Sequence, residues 1–166
     1  CIIGWPGETE ADYDALRPLL DKVAAAASIG VGKRGVAHAT LSVNPLVPKP
    51  FTPMQWAPMA SEAAIEAGYA RVRAAVKGLR GFRVETETPS QARLQGLLAR
   101  GDETLFSLVV AAVEAGSFRR ALKRWDGDPA AFLDRARPED EVFPWDFIDN
   151  GVSRDYLWRE RQRYDQ

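Results

Sequence analysis

Followed as a pattern of apolar and polar positions, the chain opens on Ile2 and Ile3, an apolar pair that stops at Gly4. Thr9-Glu10-Ala11-Asp12 comes next. The Thr9 hydroxyl can take a backbone N–H of a first helical turn, so a strand is expected to hand over to a helix there. Tyr13, Leu16, Leu20, Val23 and Ala27 then recur at helical spacing, and Pro18 is expected to kink or remodel the second turn. Gly30-Val31-Gly32 closes this helix, and Lys33-Arg34-Gly35 makes a short basic loop. From Val36 the period changes to two. Ala37, Ala39, Leu41 and Val43 share one face, and His38, Thr40, Ser42 and Asn44 share the other, which predicts a strand with a polar face.

Five prolines between Asn44 and Pro58 forbid a central strand or a helix interior, so this stretch is expected to be an unusually apolar loop. Ser61 caps the clearest helix, in which Ile65, Tyr69, Val72, Val76 and Leu79 recur and which Gly81 is expected to stop. Phe82 to Glu87 predicts a third strand, and Pro89-Ser90 leads a helix carrying Leu94, Leu97 and Leu98 to Gly101. Strand and helix thus alternate, an order that favours parallel strands joined by right-handed crossovers in an α/β architecture. Beyond Asp102 the pattern is helical from Leu105 to Val113 and from Phe118 to Trp125, and a short turn opens at Asp128-Pro129. A loop then runs from Pro144 to Gly151, and Ser153 caps a last helix rich in Arg and aromatics.

Composition narrows the chemistry. The 166 residues, 46% of them hydrophobic, suffice for one core, as one domain or one with an appendage. Lys and Arg number 22 against 23 Asp and Glu, a net charge of −1, so no global field draws the chain to nucleic acid or anionic lipid. No apolar run approaches the roughly 20 residues that cross a bilayer, and no basic segment precedes an apolar one at the start. The expected location is cytoplasmic, with no membrane partner. One Cys, Cys1, and one His, His38, rule out an internal disulfide and any zinc or iron–sulfur site assembled from several such ligands on this chain.

Several residues invite a chemical reading beside a structural one. Gly4-Trp5-Pro6-Gly7-Glu8-Thr9, between a strand end and a helix start, can cradle an anion on free backbone N–H groups, or be a tight turn that needs glycine for backbone reasons. Ser42 and Asn44 can line a pocket or cap the loop that follows them. His38 stands far from the loop end of its strand, which favours a structural or exposed role over that of a general base. Phe51, Met54 and Trp56 suit a lid or a packed loop. Arg154, Arg159, Arg161 and Arg163, interleaved with Tyr156, Trp158 and Tyr164, suit RNA or, more readily, a solvated amphipathic helix, because Asp155 and Glu160 dilute their charge. Glu85 and Glu87 share a strand face expected to be solvated.

Ile3-Gly4-Trp5-Pro6-Gly7-Glu8-Thr9 resembles the Ile-Gly-φ-Pro-Gly-Glu-Thr turn (φ here an apolar residue) of radical S-adenosylmethionine enzymes, which follows a late strand of a partial (β/α)6 barrel. The run Ser42-Val43-Asn44-Pro45-Leu46-Val47-Pro48-Lys49-Pro50-Phe51-Thr52-Pro53-Met54-Gln55-Trp56 is similar to the next strand and its proline-rich loop. Pro144-Trp145-Asp146-Phe147-Ile148-Asp149 and Gly151-Val152-Ser153, with Arg100-Gly101-Asp102, resemble uncharacterised members that often carry a cobalamin-binding-like domain.

The resemblance implies an α/β fold, the C-terminal part of a TIM-type barrel over residues 1–101 followed by a helical region over 102–166. It implies S-adenosylmethionine beside Gly4, Pro6, Gly7, Glu8, Ser42 and Asn44, with the polar strand face looking into the barrel. The intact family enzyme cleaves S-adenosylmethionine reductively at a [4Fe–4S] cluster, and the resulting 5′-deoxyadenosyl radical abstracts hydrogen from a substrate, unknown here; cobalamin is a possible further cofactor. No catalytic residue is assigned. The Cys-x-x-x-Cys-x-x-Cys loop that holds the cluster is not in this sequence, so the chain is expected to begin near the fifth strand and to have a missing N-terminal half as its partner. A non-catalytic binding module, using the glycine turn as an anion site and the Arg-rich tail for a partner, is the alternative.

A [4Fe–4S] cluster takes three or four thiolates and the chain has one. Anaerobic reconstitution should therefore leave the purified chain colourless, with no stoichiometric iron by metal analysis; a stable brown monomer would overturn the assignment.

Overall fold

The computed structural model describes residues 1–27 and 38–164. The end of the first helix at residues 30–32, the basic loop at 33–35 and the strand start at Val36 and Ala37 lie outside the described residues. Contacts divide the chain into two compact units, Cys1–Leu46 with Ala60–Ala92, and Val47–Met59 with Arg93–Gln166. The second unit thus takes up the proline-rich loop and the helix residues from Arg93 onward.

In the first unit β1 (Ile2–Ile3), β2 (Ala39–Pro45) and β3 (Phe82–Thr86) form a parallel sheet in the order β1-β2-β3. Ile3 pairs with Pro45 and Val43 with Thr86. Strand β2 sends alternate N–H groups to its two neighbours: Ala39 donates to Gly81 O on the β3 side, while Asn44 and Leu46 donate to Cys1 O and Ile3 O on the β1 side. Pro45 therefore falls on the β3 side, just past the last β2–β3 pair, where its missing N–H breaks no ladder bond. Continuing the register, that N–H would have met the Glu87 carbonyl. The Tyr69 hydroxyl donates to this oxygen instead, at 2.8 Å.

The period-two pattern sorts the sheet into two unlike faces. Ile3, Val43 and Pro45 are buried, whereas Thr40, Ser42, Asn44, Arg83 and Glu85 are all exposed. Helix α3 (Glu62–Val76) packs on the buried face, close enough at Gly68 that an added Cβ would lie 2.8 Å from Ile3 Cδ1. Its buried stripe, Ile65, Tyr69, Val72 and Val76, completes the core with Leu20.

The helix starts follow the local signals. Thr9 precedes α1 (Glu10–Asp14), and the Asp12 carboxylate accepts both its N–H and its hydroxyl at 2.8 Å. Ser61 Oγ accepts from Ala64 N–H at the head of α3. Pro18 remodels the helix as expected: it is interrupted at Ala15, and Pro18 becomes the third residue of α2 (Leu16–Ala27), in a first turn where a missing N–H costs nothing. One end differs from expectation: helix α3 stops at Val76 rather than at Gly81, leaving Leu79 outside it, because Gly78, just past the cap Lys77, takes the left-handed conformation at φ 84°; the Arg17 guanidinium donates to the carbonyls of Ala75 and Lys77 at this end.

Helix α4 (Pro89–Arg100) opens in the first unit and continues into the second, ending before Gly101 as expected. In the second unit follow α5 (Leu105–Ala115), α6 (Phe118–Leu122), α7 (Pro129–Leu133), N-capped by Asp128, and α8 (Arg154–Tyr164), whose Tyr156 N–H is held by Ser153 Oγ. Helix α6 is shorter than its pattern, and Trp125 lies beyond it with its indole N–H on Ser107 Oγ.

The proline-rich loop is a packed element. Pro53–Trp56 forms a 3-10 turn, and Trp56, Phe143, Trp145 and Leu157 make one buried cluster against which Phe51 and Trp158 lie. The Phe143 ring sits under two guanidiniums, Arg154 at 4.8 Å and Arg137 at 5.3 Å. Arg154 is held by the Asp146 carboxylate and by the carbonyls of Glu139 and Glu141. Arg135 donates two bonds to the Glu141 carboxylate, the main reason that this group titrates below the ordinary range.

Tyr69 ties the end of the sheet to α3 through one hydroxyl. Tyr69→Phe should leave the Glu87 carbonyl without its donor and lower unfolding stability by about 1–3 kcal/mol in urea denaturation; an unchanged midpoint would show that water replaces the bond at no cost.

Candidate functional site

Strand β1 ends in a turn whose geometry explains its residues. Trp5 O accepts from Glu8 N–H at 3.1 Å, Pro6 presets the second position and Gly7 takes the third with φ 82°, which makes a type II turn. Gly4 also has positive φ, 77°, and a Cβ there would stand 3.1 Å from the Ala60 side chain. Both glycines are therefore required by the backbone.

Glu8 folds back into this turn. Its Oε2 accepts from Gly4 N–H at 2.9 Å and from the Tyr13 hydroxyl at 2.5 Å. The Thr9 N–H is engaged by Asp12 and the Glu8 N–H by Trp5. The N–H groups of Gly4, Glu8 and Thr9 are thus already used, and the anion at the turn is the protein's own carboxylate.

Tyr13 carries the strongest electrostatic signature here. Burial, then the hydrogen bond to Glu8 and its negative charge, push the phenol well above its ordinary range, opposed by Arg71, which lies 5.2 Å over the ring and pairs with Glu10. Glu8 and Tyr13 line a small cleft of about 150 Å³ with Ile3, Asp12, Leu16 and Val72. The Tyr13 hydroxyl faces Gly68 of α3, so this cleft lies on the helix-covered side of the sheet.

The expected site residues consequently separate into two groups. Gly4, Pro6, Gly7 and Glu8 sit together in the turn, while Ser42 and Asn44 lie on the exposed face of β2, with Asn44 Nδ2 3.4 Å from Ser42 Oγ. Asn44 is level with Ile2 in the register, two residues before Gly4. Among the described residues, no hydrogen bond joins Glu8 to either Ser42 or Asn44. His38 is exposed ahead of β2, and Cys1 lies exposed before β1.

Other expectations resolve in the second unit. Met54 and Trp56 are buried core rather than a lid. On α8, Leu157 and Trp158 face the aromatic cluster, Arg154 is held by Asp146 and two carbonyls, and Arg163 pairs with Glu160, as befits an amphipathic helix. Among the described residues no group of three or more His, Cys, Asp or Glu could hold a metal ion, and no helix is long and apolar enough to cross a membrane.

Sequence reasoning missed Tyr13 and Gln55. The signal for Tyr13 was its position on the first turns after an acidic βα turn. For Gln55 it was a lone amide in an apolar run.

No family model matches the chain, and no solved structure matches it. An uncharacterized protein of the archaeon Methanocaldococcus jannaschii is 31% identical over 125 residues, covering 74% of this chain and 25% of that protein. The matched part is thus about a quarter of the length of that curated relative.

The Glu8–Tyr13 pair has a titration consequence. The folded chain binds the phenolic proton more tightly than the unfolded chain, so its stabilisation is complete below the ordinary phenol range and is lost as pH climbs through the raised value. Glu8→Gln keeps an acceptor for Gly4 N–H but removes the charge. Ultraviolet titration of tyrosinate should then show one tyrosine of the variant ionising at distinctly lower pH than in the parent; coincident curves would mean that burial alone sets the shift.

Proposed function

We propose that the chain is the C-terminal part of a radical S-adenosylmethionine barrel, supplying wall residues and no iron ligands. The observation that carries this reading is the bare polar face of Thr40, Ser42 and Asn44 on a sheet whose parallel strands run in sequential order. Right-handed crossovers between strands added in sequence put all their helices on one face, whereas a doubly wound sheet reverses its order and covers both. A sheet of the first kind turns its open face inward when more strands close it, and binding residues gather at the C-terminal strand ends. Asn44 and the Gly4 turn occupy those ends.

Two of the stretches that resemble the family also support the reading through their packing. Gln55 and Trp145, from the second and third stretches, share a hydrogen bond at 3.0 Å, and Trp56 packs on Phe143 just ahead of the third. Stretches distant in sequence thus depend on each other.

The donor set does not fit a [4Fe–4S] cluster: the one cysteine is exposed, and no multi-ligand group exists among the described residues. A cluster would require thiolates from elsewhere in a longer polypeptide. The Ser42 hydroxyl and Asn44 amide, joined to each other only by a long contact, retain capacity for a polar cofactor. The alternative anion module has less support, since the turn's N–H groups are engaged by Glu8, Trp5 and Asp12.

The test uses a longer polypeptide that contains this chain and a three-cysteine loop. Ser42→Ala and Asn44→Ala should each lower 5′-deoxyadenosine formation about 5-fold, the equivalent of one hydrogen bond, at unchanged iron content and folded fraction. Wild-type turnover in the double variant would remove these residues from the cofactor wall.

A further inference from the structure

We propose that the second unit contains a binding site for a small neutral carboxamide, in the cleft between the Phe51–Gln55 loop and the segment around Phe147. The inference is independent of the radical S-adenosylmethionine reading. The cleft holds about 450 Å³, within the range of small-molecule sites. Gln55 lines it, although only 3% of that residue is exposed. Its Oε1 accepts from the Phe51 N–H and from the Trp145 indole N–H, each at 3.0 Å. These two donors fix which way the amide points, because only its oxygen can serve both. The Gln55 NH2 group is left with no acceptor among the described residues, a donor that a ligand oxygen at this cleft would satisfy.

The rest of the lining describes the remainder of the ligand. Phe51, Leu157 and Ile148 supply apolar wall, and Phe147 stands at the lip with 86% of its surface in water. The charged groups present are Asp146, Asp149 and Arg154, but Asp146 and Arg154 pair with each other at 2.7 Å. Asp149 remains as the uncompensated charge, accepting the Gly151 N–H through one oxygen. The local field is therefore negative and disfavours an anionic ligand. A carboxamide answers both demands, with its carbonyl taking the Gln55 NH2 and its own NH2 available to the Asp149 side, while an apolar body lies against the rings.

The probe is benzamide, followed by proton–nitrogen correlation spectra of the 166-residue chain, with benzoate and benzylamine as comparisons. Benzamide should shift the Gln55 side-chain NH2 pair and the backbone amides of Phe147 and Ile148, with a Kd on the order of 10 mM for so small a molecule. Benzoate, which lacks the donor and carries a charge that the Asp149 side repels, should bind about 5-fold more weakly or not at all, while benzylamine, whose cation the Asp149 side attracts but which has no acceptor, should leave the Gln55 NH2 pair unshifted. Gln55→Glu retains an acceptor for Phe51 and Trp145 but deletes the NH2, and should abolish benzamide binding. Phe147→Ala alters only an exposed lip and should weaken it about 3-fold. No shift at Gln55 and Phe147 near about 20 mM benzamide would overturn the proposal, as would equal binding of all three probes or unchanged affinity in the variants. Should near-ultraviolet circular dichroism show Gln55→Glu unfolded, the probe comparison and Phe147→Ala decide.

Discussion

The parallel register that sets Ile3 opposite Pro45 and Val43 opposite Thr86 is the constraint on which the first unit depends. Side chains alternate across a strand, so this register alone decides that Val43 and Ile3 meet α3 while Thr40, Ser42 and Asn44 meet water. A slip of one residue would press three polar side chains onto α3 and expose its apolar partners. Pro45 sets where the β2–β3 ladder stops. The Tyr69 hydroxyl then takes the carbonyl that the ladder abandons, so α3 both covers the sheet and finishes its hydrogen bonding.

The second unit is organised by a different principle. Beside aliphatic residues such as Leu97, Leu108 and Leu133, its core buries large rings and guanidiniums. Arg137 is buried, with its backbone N–H on Trp56 O and its guanidinium near Phe143 and Trp145. Arg100 is wholly buried and donates to the Ala57 carbonyl at 2.7 Å. Burial first, then the nearby Arg137 and Arg135 charges, lower its pKa to about 10, so it remains protonated at neutral pH. Buried cations of this kind are costly to desolvate and strongly destabilising to leave without partners. The Ala57 and Phe132 carbonyls, Glu141 and the faces of Phe143 and Trp145 supply part of that compensation, while Arg100 Nε and Nη2 and Arg137 Nε have no hydrogen-bond partner among the described residues. This explains why an apolar loop broken by prolines is ordered: its carbonyls and rings are the counterparts of the arginines.

At the end of β1 the same economy of polar groups appears on a smaller scale. A glycine turn before a helix has the makings of an anion site, yet Glu8 supplies the anion from within and Tyr13 donates a second bond to it. What is left for an external ligand is the open polar face of β2, which lies on the side of the sheet away from α3. The turn and that face share one end of the sheet, and the proposed function rests on the face, with the turn as the backbone device that shapes its rim.

The strands, their parallel order and the polar face of β2 were legible in the residues, as were the starts of the helices at Thr9, Ser61 and Ser153, while Asp128, read as opening a short turn, caps the helix α7. These features arise from signals a few residues apart: alternation of side chains, a hydroxyl or carboxylate reaching an N–H two or three positions ahead, a proline that cannot continue a ladder. Gly78 with φ 84°, and not the expected Gly81, ends α3; that Arg17, 58 residues from Ala75, takes carbonyls of its last turn was not legible. Nor was the buried state of Gln55, whose partner Trp145 is 90 residues away, or the retreat of Glu8 onto Tyr13. A sequence specifies which groups need partners, and local partners can be read from it directly. Which distant group becomes the partner is decided by the packing that brings them within 3 Å, so the faces of the elements were determined by the sequence alone, while the occupants of those faces were decided only in the folded structure.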